Sequence, residues 1–355
     1  MMGGFRRTWA GRSLARTVVV SALLALLPAD ARSPEAPVTP SAAGASREQA
    51  NEALLAALSS AGSSPAEIEA LRAIFARSPV IGQGNPAVTR HPMTREQCRA
   101  REAAAGVDFV DPEAERICGA PRMAPLYDPA TQARGDATAC VDQLEFPNLP
   151  CEYPVVWVRA AEAAELCEAQ GKRLCDAHEW EGACAGALGP ADYPFGAGGR
   201  SDVERVSAMR SVHNARYSPT QSWSYGPSAQ KGICASDSTK TEGCNGGQYS
   251  TCGSNTYPAG AFPECRSALG VYDENGNAAE HMNLPLEPGQ MASTGSQTLG
   301  VTEMKGSWFI FDRYQAHPDW CRWRAPYWHG SRVRDAESHR NYHLGFRCCR
   351  DVEGG

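Results

Sequence analysis

Asp273 and Glu280 stand seven residues apart and bracket an Asn-Gly turn in the stretch L-G-V-Y-D-E-N-G-N-A-A-E, residues 269–280. A hard cation such as calcium takes about six to eight oxygen ligands and accepts backbone carbonyls beside carboxylates. One tight loop with a carboxylate at each end and Gly276 and Ala278 between them supplies such a mixed set. The same residues also suit an exposed β-turn whose charges are simply solvated, and the local sequence leaves both readings open.

Cysteine is the second residue type with chemical potential. The chain has 14, an even number, and all follow residue 31. In an oxidising compartment this composition reads as a framework of up to seven disulfides. Zinc binding by Cys234, Cys244, Cys252 and Cys265 is the weaker alternative, because none of their spacings resembles CxxC. Histidines gather in the last quarter as His317, His329, His339 and His343. The pair His339 and His343 would share a helix face, but Gly345 and the strand-like terminus argue against a helix there. Arg322-Trp323-Arg324 and Tyr327-Trp328-His329 make a dense aromatic and basic stretch. Such side chains can line a groove for a peptide or a glycan, or serve as core and rim of an irregular fold.

The elements that must position these residues begin after an export signal. Residues 1–31 carry a basic n-region (Arg6, Arg7, Arg12, Arg16), an apolar run over 18–27 and a small-x-small site at Ala29-Asp30-Ala31. The run is too short for a membrane span, which needs about 20 apolar residues. A secreted or periplasmic protein is expected, and removal of the leader takes the formal net charge from −6 to −9. That balance argues against nucleic acid as a partner. Residues 32–46 read as a flexible Pro/Ser/Ala linker. Apolar spacing over 48–77 predicts a helical hairpin broken at Ser63-Ser64-Pro65, and residues 82–92 are too rich in Gly and Pro for regular structure. This hairpin and the extended segment after it occupy 47–119. In the main domain, 120–351, Tyr153–Arg159 is the best strand candidate and Ala160–Gln170 the best helix. A second helix is expected to 185, with Asp176 as N-cap and Glu179 completing a capping box.

Three blocks in order resemble the formylglycine-generating enzyme, or sulfatase-modifying factor, family. They are G-K-R-L-C-D-A-H-E-W-E-G-A-C-A-G ending at Gly186, the run from Y-P-A-G-A-F-P at 257 to the loop at 280, and Lys305–Trp308 with the terminal L-G-F-R-C-C at 344–349. The resemblance covers roughly 120–351. It implies an irregular, loop-rich α+β fold of the C-type-lectin-like kind with many disulfides. It also implies calcium at the loop, through Asp273, the carbonyls of Gly276 and Ala278, and Glu280. A second family calcium site would start from Asn214, but the positions expected to complete it, near Thr251 and Gly253, lack carboxylates. The family's Trp after the loop Glu is replaced here by His281. By the same resemblance Cys167 pairs with Cys348 and Cys184 with Cys321. Cys175 and Cys349, both departures from the family pattern, are explained together by one bond, since adjacent strand residues face opposite ways.

The resemblance implies a copper(I) site built from two cysteines five residues apart, chemistry that suits soft thiolates. Counting back from Cys321 reaches Ala316 and then Phe311, so the thiolate pair is missing and copper is not expected. The sequence therefore points to an exported, non-catalytic binding or structural module stabilised by disulfides and calcium. Its partner would be an envelope or extracellular protein, a peptide or a glycan; Arg322, Trp323, Arg324 and Trp328 are the candidate groove. The competing reading is an oxidase that makes formylglycine or uses another ligand set.

Overall fold

Ser46 and Ser64 begin the first two helices, α1 (Arg47–Ser60) and α2 (Pro65–Arg77), each through a reciprocal capping box with the residue three further on. The computed structural model describes residues 45–352 without Gly246 and His329, so the leader and most of the linker lie outside the described residues. Leu54, Leu55 and Leu58 on α1 and Ile68, Leu71, Ile74 and Phe75 on α2 are all buried. Their partners include Phe146, Val155, Leu166, Phe346 and Cys348, so the hairpin shares one core with residues much later in the chain. Two further helices follow, α3 (Arg95–Ala105) and α4 (Pro112–Cys118), capped by Thr94 and Asp111. Between α2 and α3 the chain forms no helix or multi-residue strand, and Ser78, Ile81, Thr89 and His91 are buried along it. Asn85 donates to the Tyr249 carbonyl and the Arg90 N–H reaches Asn255, which pins this segment.

Two small sheets carry the rest. The first contains β1 (Met123–Leu126), β2 (Ala139–Asp142), β3 (Arg173–Leu174) and the C-terminal β7 (Cys348–Asp351), in the order β1-β2-β7-β3 and antiparallel throughout. The second places β4 (Ala279–Leu284) between antiparallel β5 (Val301–Lys305) and parallel β6 (Leu344–Gly345). Helices α5 (Ala160–Glu168), α6 (Ala177–Ala185) and α7 (Asp202–Tyr217) pack beside them. At the start of α6 Glu179 accepts from the Asp176 N–H at 2.8 Å, while the Asp176 carboxylate is taken by Asn283, Ala292 and Ser293, so half of the expected capping box forms. The result is an α+β fold with more loop than element among the described residues.

Tyr153–Arg159 does not form a strand. Val155, Val156 and Trp157 donate to the carbonyls of Phe146, Gly82 and Asn341, three separate segments, and Trp157 has φ +58°. The apolar run reads as a strand because it is buried, but its backbone is satisfied by loops on all sides.

All 14 cysteines are paired. The bonds are 98–151, 118–140, 167–348, 175–349, 184–321, 234–265 and 244–252. Cys234, Cys244, Cys252 and Cys265 are thus two disulfides, which removes the thiolates a zinc site would need.

Because the hairpin is part of the central core, Leu71→Ala should cost about 2–5 kcal/mol of global stability. Chemical denaturation followed by near-UV and far-UV circular dichroism should give one shared, shifted transition. Two separate transitions would mean that the hairpin folds independently.

Candidate functional site

Residues 269–280 form a buried loop, so the reading as an exposed turn is overturned: Asp273, Glu274, Asn275, Asn277 and Glu280 are each at most 2% exposed. Its backbone needs the left-handed region at Asp273 (φ +59°), Gly276 (+92°) and Asn277 (+52°). A Cβ at Gly276 would lie 2.9 Å from the Ala235 carbonyl oxygen, which leaves glycine as the residue that fits. Asparagine side chains then stitch the loop to its surroundings. Asn275 accepts from the Ser224 N–H and donates to the Asp319 carbonyl, and Asn277 donates to Glu145 and accepts from the Tyr257 N–H.

Glu280 is held by two contacts from Arg347, Nη2 to Oε1 at 2.6 Å and Nε to Oε2 at 2.7 Å, and by Trp180 Nε1 at 2.9 Å. Glu145 accepts from the Ala278 N–H at 2.7 Å. Asp273 Oδ2 accepts from the Gly260 N–H at 2.6 Å, but among the described residues its Oδ1 has no partner, and neither carboxyl oxygen of Glu274 has one. Four buried carboxyls therefore face one guanidinium. Burial raises the pKa of Asp273 to about 7, helped by Glu280 and opposed by the Gly260 N–H and by Arg347. Burial likewise pushes Glu274 and Glu145 well above the usual range, with Asp273 and Glu280 adding to both. Glu102, reaching in from α3, rises to about 7 through burial and then Asp273.

Uncompensated buried charge is costly, so this site needs protons or a cation. The orphaned Asp273 Oδ1 and the all-oxygen donor set fit a hard cation. Glu280 would have to share its carboxylate between such an ion and Arg347. Nothing in the local sequence marks Glu274 as a buried, partnerless acid, and Glu145 comes from a motif more than a hundred residues away.

The other expected site residues separate. Cys167, Cys175 and Cys184 are bonded to Cys348, Cys349 and Cys321. The Asn214 amide is occupied by the Arg324 backbone, accepting from its N–H and donating to its carbonyl, so it faces protein and not an ion. The expected groove is corrected. Arg324 is 0% exposed and its guanidinium lies on Glu181 at 2.9 Å, while Trp323 is packed with Trp320 and His317. Arg322 lies over the Tyr217 ring, and Trp328 alone of the four is well exposed, at 49%. Among the histidines, His317 lies in an aromatic cluster with Trp308, Phe311, Trp323 and Trp328, and His343 stacks on Trp308; His329 lies outside the described residues.

An open cleft does exist beside that stretch. It has a volume of about 450 Å³ and is lined by Gln221, Trp223, Gln315, Ala316, His317 and Asp319, among others. A neighbouring recess of about 280 Å³ shares Trp223, Gln315 and Asp319 and adds Tyr225 and Gln230. Its residues come from two loops far apart in sequence, which is why the sequence assigned the groove to the adjacent segment.

A family model, the sulfatase-modifying factor enzyme 1-like domain, matches residues 132–352. Among solved structures, the chain is similar to PvdO from Pseudomonas aeruginosa at 18% identity, covering 72% of this chain and 76% of that one with a TM-score of 0.27. It is similar to CarF at 16% identity, covering 73% and 84%, also with a TM-score of 0.27. Curated proteins yield no match.

Asp273 and Glu102 bind protons more tightly in the folded state than at their ordinary values of 3.8 and 4.5. Raised carboxyl values contribute stability that is present at low pH and is lost as pH rises toward the folded value. With divalent ions chelated, this part of the stability should therefore fall between about pH 4 and about pH 7. Asp273→Asn should flatten that fall in a pH series of thermal melts; an unchanged slope would show that these carboxyls are balanced in some other way.

Proposed function

The chain belongs to the sulfatase-modifying factor enzyme 1-like domain family, and on that premise we propose that it is an exported, non-catalytic binding module of the family. The observation that carries this reading is at the cleft. Ala316 lines it where a reactive thiol would have to stand, and the neighbouring Cys321 is bonded to Cys184. With every cysteine of the chain in a disulfide, no thiolate pair is available to hold copper(I). An open cleft in place of a filled core favours ligand binding over a purely structural role.

Seven disulfides favour an oxidising compartment, the extracellular space or a periplasm. Among the described residues no helix is long and apolar enough to cross a membrane. Calcium belongs to the same proposal. Asp273, the carbonyls of Gly276 and Ala278, and Glu280 would hold it, and it would supply positive charge to the buried carboxyls and brace the loop. The partnerless Asp273 Oδ1 supports this assignment.

Two measurements test the proposal. Calorimetric titration of chelator-treated protein should give one calcium site in wild type and none in Asp273→Ala. Calcium at about 100 times its Kd should then add about 2.7 kcal/mol of stability; identical weak responses from both proteins would remove the site. For activity, a peptide carrying the C-x-P-x-R motif should remain unconverted when copper is supplied. Appearance of formylglycine by mass spectrometry would return the protein to the oxidases.

A further inference from the structure

Glu102 on α3 is a further buried acid that protein leaves without a donor. It is 9% exposed, and its Oε1 lies 3.7 Å from Cys98 Sγ. That sulfur is bonded to Cys151 and has no hydrogen to give. Among the described residues no N–H or O–H group donates to the Glu102 carboxyl, so it shares the condition of Asp273, whose Oδ1 is unpartnered at 1% exposure.

Covalent and packing contacts bring α3 to the loop. Cys98, one turn before Glu102, fixes the helix through its disulfide. Phe109, just past the helix, packs on Tyr272, the residue before Asp273, with ring centroids 5.1 Å apart. Gly260 then marks where the two acids approach each other. Its N–H donates to Asp273 Oδ2 at 2.6 Å, and a Cβ on it would stand 2.8 Å from Glu102 Oε1. Glycine, here at φ +80°, keeps open a gap that both carboxyls border. Glu280, at the far end of the loop, is placed differently. Arg347 donates to both of its oxygens and Trp180 to Oε2, and a bidentate guanidinium leaves little of that carboxylate for a metal ion.

We infer that Glu102 is a ligand of the cation at this loop, joined to Asp273 through the ion across the gap at Gly260. The inference deepens the calcium reading above and rests on it. A calcium ion draws carboxylates from separate segments into one shell of six to eight oxygens, with carbonyls and water completing it. It would give these two acids the positive charge that protein does not supply. Residue 102 precedes the span 132–352 that matches the family, so the N-terminal extension would itself furnish a ligand. Binding of the ion would then clamp α3 onto the loop.

The test is calcium titration by calorimetry, with thermal melts, on purified full-length protein treated with chelator. Glu102→Gln should weaken calcium binding at least about tenfold, because affinity follows the count of charged ligands. Asp108→Asn removes an exposed acid just past the same helix and should stay within about twofold of wild type. In chelator Glu102→Gln should melt no lower than wild type, since it removes a buried acid that has no donor. With calcium added, its gain in melting temperature should fall short of the wild-type gain. Wild-type affinity in Glu102→Gln, with Asp273→Ala silent, overturns the inference and leaves calcium at the loop standing. Equal weakening by Glu102→Gln and Asp108→Asn overturns it too, because the effect is then charge at a distance. A lower melting temperature of Glu102→Gln in chelator also overturns it, by showing that the carboxyl holds protein and not an ion. No calcium binding by wild type overturns both this inference and the calcium reading.

Discussion

Four consecutive side chains, Phe346 to Cys349, tie this molecule together. Phe346 stacks on Phe146 with ring centroids 4.7 Å apart, Arg347 grips Glu280, and Cys348 and Cys349 bond Cys167 and Cys175. Arg347 is the member that cannot be replaced by simple packing. It is 0% exposed, and besides Glu280 it donates to the carbonyls of Asp142 and Tyr272. One guanidinium thereby joins the end of β2, the buried loop, the start of β4 and the C-terminal strand. Removing one partner from such a pair strands the other in a low-dielectric interior, at a cost of about 3–5 kcal/mol. The parallel register of β4 and β6 follows from the same clamp, since Glu280 pairs with Gly345, two residues before Arg347.

A second buried network nearby shows what electrical closure looks like. Glu181 accepts from Lys305 at 2.6 Å and Arg324 at 2.9 Å, and Glu303 lies 3.6 Å from the same Lys305. Two acids meet two cations. Burial works against ionisation of Glu181, yet Arg324, Lys305 and His213 together hold its pKa well below the usual carboxylate range. At the loop, Glu145, Asp273, Glu274 and Glu280 share Arg347 alone among the described residues, and burial pushes Glu145, Asp273 and Glu274 the other way. Glu303, 3.6 Å from Lys305, is itself raised by burial, so what sets Glu181 apart is its direct contact with two cations. The loop is a place in the core that is built short of positive charge.

Local chemistry was legible in the sequence. Capping residues marked where α2 and α6 begin, the helical periodicity of residues 48–77 was visible, and the motif blocks placed the family across the main domain. What the sequence hid depends on contacts between distant segments. Tyr153–Arg159 looked like a strand because burial on all sides imitates a sheet interior. Arg324 looked like a groove residue because a basic side chain between aromatics suggests surface, and only the fold reveals Glu181 waiting beneath it. Glu274 lay in plain view next to Asp273, but whether an acid is solvated or buried cannot be told from its immediate neighbours. The cleft escaped for the same reason, being formed where residues 221–225 meet 315–320.

That meeting also separates the residues that hold the fold from those that line the cleft. The segment 311–320 is fixed at its base by contacts that involve no thiol at its tip. The Asp319 carbonyl accepts from Asn275, the Asp319 carboxylate accepts from Ser307 and Trp223, and the Cys321 N–H donates to the Ser222 carbonyl. Cys321 itself is committed to Cys184 on α6. Gln315 and Ala316 sit beyond these anchors and are exposed, so their side chains carry little of the stability. Side chains at such positions can be exchanged at almost no structural cost, while Arg347, Glu280 and the bridging cysteines cannot change without opening the core. The scaffold and the cleft are thus held by different residues, so the fold alone does not fix what the cleft does.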